Sequence, residues 1–177
     1  MFRRIGVYTL VVVLAALVAP LRADDSDSVI IKSRDGDLQL SLPTGWDSLT
    51  PDKSQISAID GSKHEQVEVY TENHADVRDG LRSHAQHWCD GFVKQFDDST
   101  CTTGNEVQFG SNNAMQYEIH GTVKDDQRKL GIELSIVEMD RHYAEVIAYC
   151  PESNFSDNQS DLQDLPRGLS EIYGSGN

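Results

Sequence analysis

The stretch DVRDGLRSHAQHWCDGFVKQFDD, residues 76–98, decides the fold. Within it Val77, Leu81, Ala85, Trp88, Phe92 and Phe96 recur at spacings of four, four, three, four and four. At about 100° per residue these six side chains fall in one narrow stripe along a helix that Asp76 can cap. Such a stripe has to be buried against a sheet or another helix, and the flanking sequence supplies the sheet.

Upstream, residues 29–33 and 37–42 are short β-like runs joined by Arg34, Asp35 and Gly36, a turn that tolerates positive φ, so they predict a hairpin. Pro43-Thr44-Gly45-Trp46 ends it, a polar stretch follows, and residues 66–71 alternate as a half-buried strand does, with Val67 and Val69 on one face. Downstream, Val107 and Phe109, then Met115, Tyr117 and Ile119, then Ile132, Leu134 and Ile136, and finally residues 143–150 mark four more strands. The short polar connections at 110–113, 125–129 and 140–142 suit antiparallel hairpins. Leu162, Leu165, Leu169 and Ile172 lie at helical spacing and predict a short second helix from about Leu165, with Pro166 in its first turn. The expectation is an α+β sandwich, a twisted antiparallel sheet of six or more strands covered by two helices.

This order of elements resembles the PsbP-like superfamily, which includes the photosystem PsbP proteins, a Ran-binding import factor and bacterial periplasmic DcrB-like members. The entry Leu40-Ser41-Leu42-Pro43-Thr44-Gly45-Trp46 is similar to that superfamily's opening, and the amphipathic helix, strand ladder and Leu-rich end follow in its order. The resemblance spans nearly the whole chain after the N-terminal segment. It implies a PsbP-like α/β/α sandwich and a protein that binds other proteins or assists assemblies, with no shared catalytic machinery to carry over. Pro43, Gly45 and Trp46 turn the chain and bury an indole, so they speak for fold and carry no chemistry.

The N-terminus has its own organisation. Arg3 and Arg4 precede an apolar run over residues 5–18, then Pro20 and a small Ala23 stand before three aspartates. That is the order of a secretory signal peptide cleaved after Ala23, giving a signal segment at 1–23 and a single domain at 24–177 in the periplasm or outside the cell. An uncleaved anchor is the rival reading, although the run falls short of the roughly 20 residues a bilayer core needs. Three of the 15 basic residues (Arg3, Arg4, Arg22) lie in the segment, so the remaining 154 residues carry 12 basic against 29 acidic groups, a formal charge of −17. Such a field repels phosphates and anionic lipid, which excludes nucleic acid and leaves no membrane contact beyond the signal segment. Basic protein surfaces, cations or simple solubility remain compatible with it. The doublets Asp97-Asp98 and Asp125-Asp126 read as solvated loops, and no EF-hand spacing is present.

No G-x-S-x-G elbow exposes a serine, and HExxH is absent. His84 and His87 could present two imidazoles from one helix, with His74 a conceivable third ligand, but they stand about 60° apart, so surface histidines are the expectation and no metal or cofactor is assigned. Cys89 shares the helix with both yet borders the apolar stripe, where a bridged or buried thiol is the ordinary fate in an oxidising compartment. These features predict no enzyme. They point to a non-catalytic accessory protein with an unidentified protein partner; the alternative is a small-ligand or metal-binding envelope protein.

Three cysteines, Cys89, Cys101 and Cys150, allow at most one internal bridge. From Cys89 to the helix end is roughly 12 Å, and residues 98–101 folding straight back cover at most about 13–14 Å, which can just bring Cys101 beside Cys89. Cys150 shares a face with Ala144, Val146 and Ala148 and fits there as a core thiol. A Cys89–Cys101 bridge is therefore expected; a Cys101–Cys150 bridge and three reduced cysteines remain the rivals.

Overall fold

The computed structural model describes residues 28–77 and 79–173. The expected signal segment, residues 1–23, lies outside them. β1 (Ser28–Lys32) and β2 (Leu38–Pro43) form the opening hairpin, and its turn is closed by Gly36 at φ +82° and by Asp35, whose carboxylate accepts from the Ser33 hydroxyl at 2.6 Å and the Asp37 N–H at 3.0 Å. Alternation then buries Leu38, Leu40 and Leu42 on one face.

The main sheet has eight antiparallel strands: β3 (Trp46–Ser48), β4 (Ile56–Asp60), β5 (Glu65–Asn73), β6 (Phe96–Cys101), β7 (Asn105–Phe109), β8 (Asn112–Val123), β9 (Lys129–Glu138) and β10 (His142–Pro151). They follow the order β3-β4-β5-β10-β9-β8-β6, and β7 also pairs with β8. The outer edge of β8 is thus shared: β7 takes its first half, with Phe109 opposite Asn112, and β6 its second, with Cys101 opposite Ile119.

Each face of this sheet has its own core. Helix α1 (Gly80–Gln95) buries Ala85 and Cys89 against Met115, Tyr117, Ile119, Ile132, Leu134, Ile136 and Ile147. On the opposite face, helix α2 (Glu152–Asp164) and a small sheet in the order β1-β2-β11 (Leu169–Glu171) pack Phe155, Leu162, Leu38 and Leu40 onto Val67, Val69, Val146 and Ala148. The expected α+β sandwich is what forms, with one helix on each side of the sheet.

Several boundaries differ from the sequence reading. Helix α1 starts at Gly80, not Asp76, because Asp76 is held in a turn: its N–H donates to the Asn73 carbonyl at 2.9 Å, and the Asn73 amide reaches its carboxylate at 3.5 Å. Asp79 is the residue before the helix and makes no side-chain cap. The second helix ends where the sequence placed its start. Leu165–Gly168 is a 3-10 turn with Pro166 in its first positions, and Leu169 is in a strand opposite Leu40. Leu162, Leu165 and Leu169 are all buried, so their spacing reports burial across three different elements. Asp97 and Asp98 lie in edge strand β6 and not in a loop, at a register break where Asp98 takes φ 47°.

Candidate functional site between helix α1 and the sheet

Helix α1 buries His84, Ala85 and Cys89 on the sheet, while its aromatic residues are only partly covered. Trp88, Phe92 and Phe96, one turn apart, form an aromatic ladder with ring centroids 6.3 and 6.0 Å apart, and Tyr70 of β5 joins it at 5.8 Å from Trp88. All four are only partly buried. Between them and Leu130, Ile132, Ile147 and Tyr149 lies a groove of about 530 Å³, rimmed by Glu68, Glu72, His87, Gln95 and Arg128. The Tyr70 hydroxyl donates to Glu68 at 2.7 Å and the Tyr149 hydroxyl to Gln66 at 2.6 Å. Burial, with the Glu68 carboxylate beside it, raises the Tyr70 phenol, and burial pushes Tyr149 up to about 12. Both phenols therefore stay protonated, and the groove's chemistry is apolar contact with a few hydrogen bonds at its edge.

Next to Glu72 of the groove rim lies a polar cluster in the core. The row of β10 that faces α1 runs Tyr143, Glu145, Ile147, Tyr149, so a carboxylate sits inside an apolar core. Glu145 is fully buried at 0 % exposure, and its Oε1 lies 2.7 Å from Nε2 of His84, which is itself buried. Its Oε2 is buried without a hydrogen-bond partner among the described residues. Burial raises this carboxyl above its ordinary value, against the opposing hydrogen bond from His84. Glu72, on the adjacent strand opposite Tyr143, reaches the same place from the groove side: one donor atom each from Glu72, His84 and Glu145 lies within 4.8 Å of the others.

The three histidines singled out in the sequence are thus separated. His84 joins two carboxylates. The His74 ring packs tilted against Tyr143 at 4.6 Å, with Tyr143 also 5.2 Å from the His84 ring, and its Nε2 is buried without a partner among the described residues. His87 is exposed at the groove rim. Glu72 and Glu145 escaped the sequence reading, although Glu145 carried a signal as the one charge inside the apolar run 143–150.

Cys89 and Cys101 are joined by a disulfide that ties α1 to β6, with Cα atoms 6.5 Å apart, and Cys150 is free and buried. A second polar cluster lies under α2. There His120 is bracketed by Glu118 at 2.6 Å and Glu152 at 2.8 Å, while Gln159 and Gln163 donate to the buried Glu133 at 3.1 and 3.0 Å. Burial pushes the Glu133 carboxyl up to about 7 despite those two hydrogen bonds.

No protein-family model matches the sequence, and no curated protein matches it. Solved structures do. The solution structure of the cyanobacterial PsbP protein CyanoP from Synechocystis sp. PCC 6803 is similar with a TM-score of 0.60 at 10% identity, covering 87% of this chain and 100% of that one. The Ran-binding protein Mog1p of Saccharomyces cerevisiae gives 0.54 at 12% identity, over 81% and 95% of the two chains. LpqN of Mycobacterium tuberculosis, described as involved in cell envelope biogenesis, gives 0.53 at 11% identity, over 83% and 91%. Each of these neighbours is spanned over nine-tenths or more of its own length, and the fold of this protein is the PsbP-like fold.

Proposed function

We propose that this chain is a secreted or periplasmic, non-catalytic accessory protein that binds another protein, and that the groove under α1 receives apolar side chains of that partner. The carrying observation is the partly buried ladder of Trp88, Phe92 and Phe96 beside Tyr70, open to a groove of about 530 Å³. Aromatic side chains held at an apolar cleft are the usual anchors of protein interfaces. Glu68 and Glu72 at the rim, within a chain of strongly acidic composition, suit a partner with basic residues flanking its apolar anchor. The neighbours named for Ran binding, for PsbP and for envelope biogenesis support a binding role over a catalytic one. Cys89 is held in a disulfide, and the groove phenols remain protonated, so neither offers a nucleophile.

Photo-crosslinking tests this directly. A photoreactive residue at Gln95, on the groove rim, is expected to capture one polypeptide from the native extract, with capture weakened by high salt and lost in Phe92→Asp. The same residue at Asp47, on the edge strand β3, is expected to capture none. No adduct at Gln95, or the same adducts from both positions, overturns the reading. A small apolar ligand is the second reading, favoured by a groove volume typical of small-molecule sites. A stoichiometric small molecule released on denaturing the purified protein would put that reading first.

A further inference from the structure

We propose that Glu72, His84 and Glu145 form a binding site for a divalent transition-metal cation of the zinc class, beside the groove, whose rim Glu72 shares. Three protein donors, one imidazole nitrogen and two carboxylate oxygens, lie within 4.8 Å of one another, and among the described residues no other set of three converges in this way. Ligands about 2.1 Å from a common tetrahedral ion stand about 3.4 Å apart, so shifts of roughly an ångström complete the coordination. The donors come from three separate elements, β5, α1 and β10, of which Glu145 and His84 are fixed in the core and Glu72 is exposed. A cation therefore has a rigid floor and an open approach.

The second, independent observation is the unpartnered oxygen. Glu145 is entirely shielded from water, yet among the described residues its Oε2 has no hydrogen-bond donor. A buried carboxylate with one unsatisfied oxygen is unfavourable unless something positive completes it. His84 serves only Oε1, at 2.7 Å. A metal ion between His84 Nε2 and the Glu145 carboxylate replaces that hydrogen bond with two coordination bonds, and the proton shared across it is released to solvent. The mixed imidazole and carboxylate donors fit zinc, and two carboxylates with one imidazole are too few and too nitrogenous for calcium. The Glu118–His120–Glu152 cluster does not compete on geometry, because its two carboxylates sit on opposite nitrogens of one ring and cannot meet at a single ion.

The test is zinc titration of the chelator-treated protein by calorimetry in two buffers of different ionisation enthalpy, with melting temperature followed in parallel. One zinc per chain is expected, with release of about one proton, a raised melting temperature, and no response to calcium or magnesium. Glu145→Gln keeps the shape and is expected to weaken zinc binding at least tenfold. Should that core variant fail to fold, the exposed Glu72→Gln decides alone, again with at least a tenfold loss expected. No zinc binding at 100 µM, or equal affinity in wild type and Glu72→Gln, overturns the site. Binding to the groove partner is read separately by crosslinking at Gln95, so either proposal can fail without the other.

Discussion

At the scale of single residues, the cysteines make the most direct prediction. Burial pushes the Cys150 thiol up to about 11, so at pH 8 roughly one molecule in a thousand is thiolate, and that one is buried. In the native, unreduced protein no cysteine is expected to react with iodoacetamide. After unfolding without reductant only Cys150 is expected to react, and peptide mapping should recover Cys89 linked to Cys101. Alkylation of Cys89, or a linked fragment containing Cys150, contradicts this pairing. The bridge spans 12 residues, and closing a loop of that size is worth about 2–3 kcal/mol in the chain-entropy model, so reduction is expected to lower the urea midpoint. The proximity of Cys101 to Cys89 was legible from chain length alone, because the return after the helix is short. The role of Glu145 was not: a lone charge in an apolar run signals an unusual site, but its partners, His84 on a helix and Glu72 on a strand, lie 61 and 73 residues away, and sequence spacing carries no such contact.

At the scale of elements, the packing of α2 on β9 depends on a missing side chain. A Cβ at Gly131 would overlap the Phe155 ring and stand 2.7 Å from its Cβ. Gly131→Ala is therefore expected to push α2 off the sheet at a cost of about 1–3 kcal/mol, read as a lower melting temperature. Gly91 in α1 is the contrast, since a Cβ there meets nothing within 4 Å. Gly91→Ala is expected to add about 0.5–1 kcal/mol through helix propensity. An equal loss from both substitutions would refute the argument from local packing. The same difference explains what the sequence revealed. Helix α1 carries four residues of the apolar stripe, Leu81, Ala85, Trp88 and Phe92, and was readable over almost its whole length, although the stripe ran on to Val77 before the helix and Phe96 in β6. Helix α2 buries only Phe155 and Leu162 and is otherwise polar, and it also meets the sheet through Gln159 and Gln163 to Glu133 and through Glu152 to His120. A helix docked through two apolar residues seven apart and several polar ones leaves little hydrophobic period to find. Strands β4 and β6 were hidden for related reasons: β4 is short and carries Ser57 and Asp60, and β6 is a polar edge strand.

At the scale of the whole molecule, the buried acids give stability a definite pH dependence. Burial raises Glu65 and Glu145 above ordinary carboxylate values and lifts Glu133 from 4.5 to about 7. Such groups keep their protons in the folded state after the unfolded chain has lost them, so stability falls as pH rises from about 4.5 towards 7. His120 acts in the same direction. Burial opposes its charge, but the hydrogen bonds to Glu118 and Glu152 outweigh that and raise its pKa. Its contribution is complete below about 6.5 and is lost as pH rises through the folded value. Asp35, Asp60 and Glu171 have lowered values, through hydrogen bonds that overcome their burial, and their stabilisation disappears only as pH falls below about 4. The urea midpoint is therefore expected to peak near pH 5 and to decline by pH 8. Glu133, only 2 % exposed, accounts for up to about 3 kcal/mol of that decline. Glu133→Gln separates this effect from general repulsion among the acidic groups, because its amide oxygen can still accept from Gln159 and Gln163. The variant is expected to match the wild type near pH 4.5 and exceed it at pH 8. A wild-type midpoint that is flat or rising between pH 5 and 8, or a variant no more stable than the wild type at pH 8, would show that Glu133 ionises without penalty inside the fold.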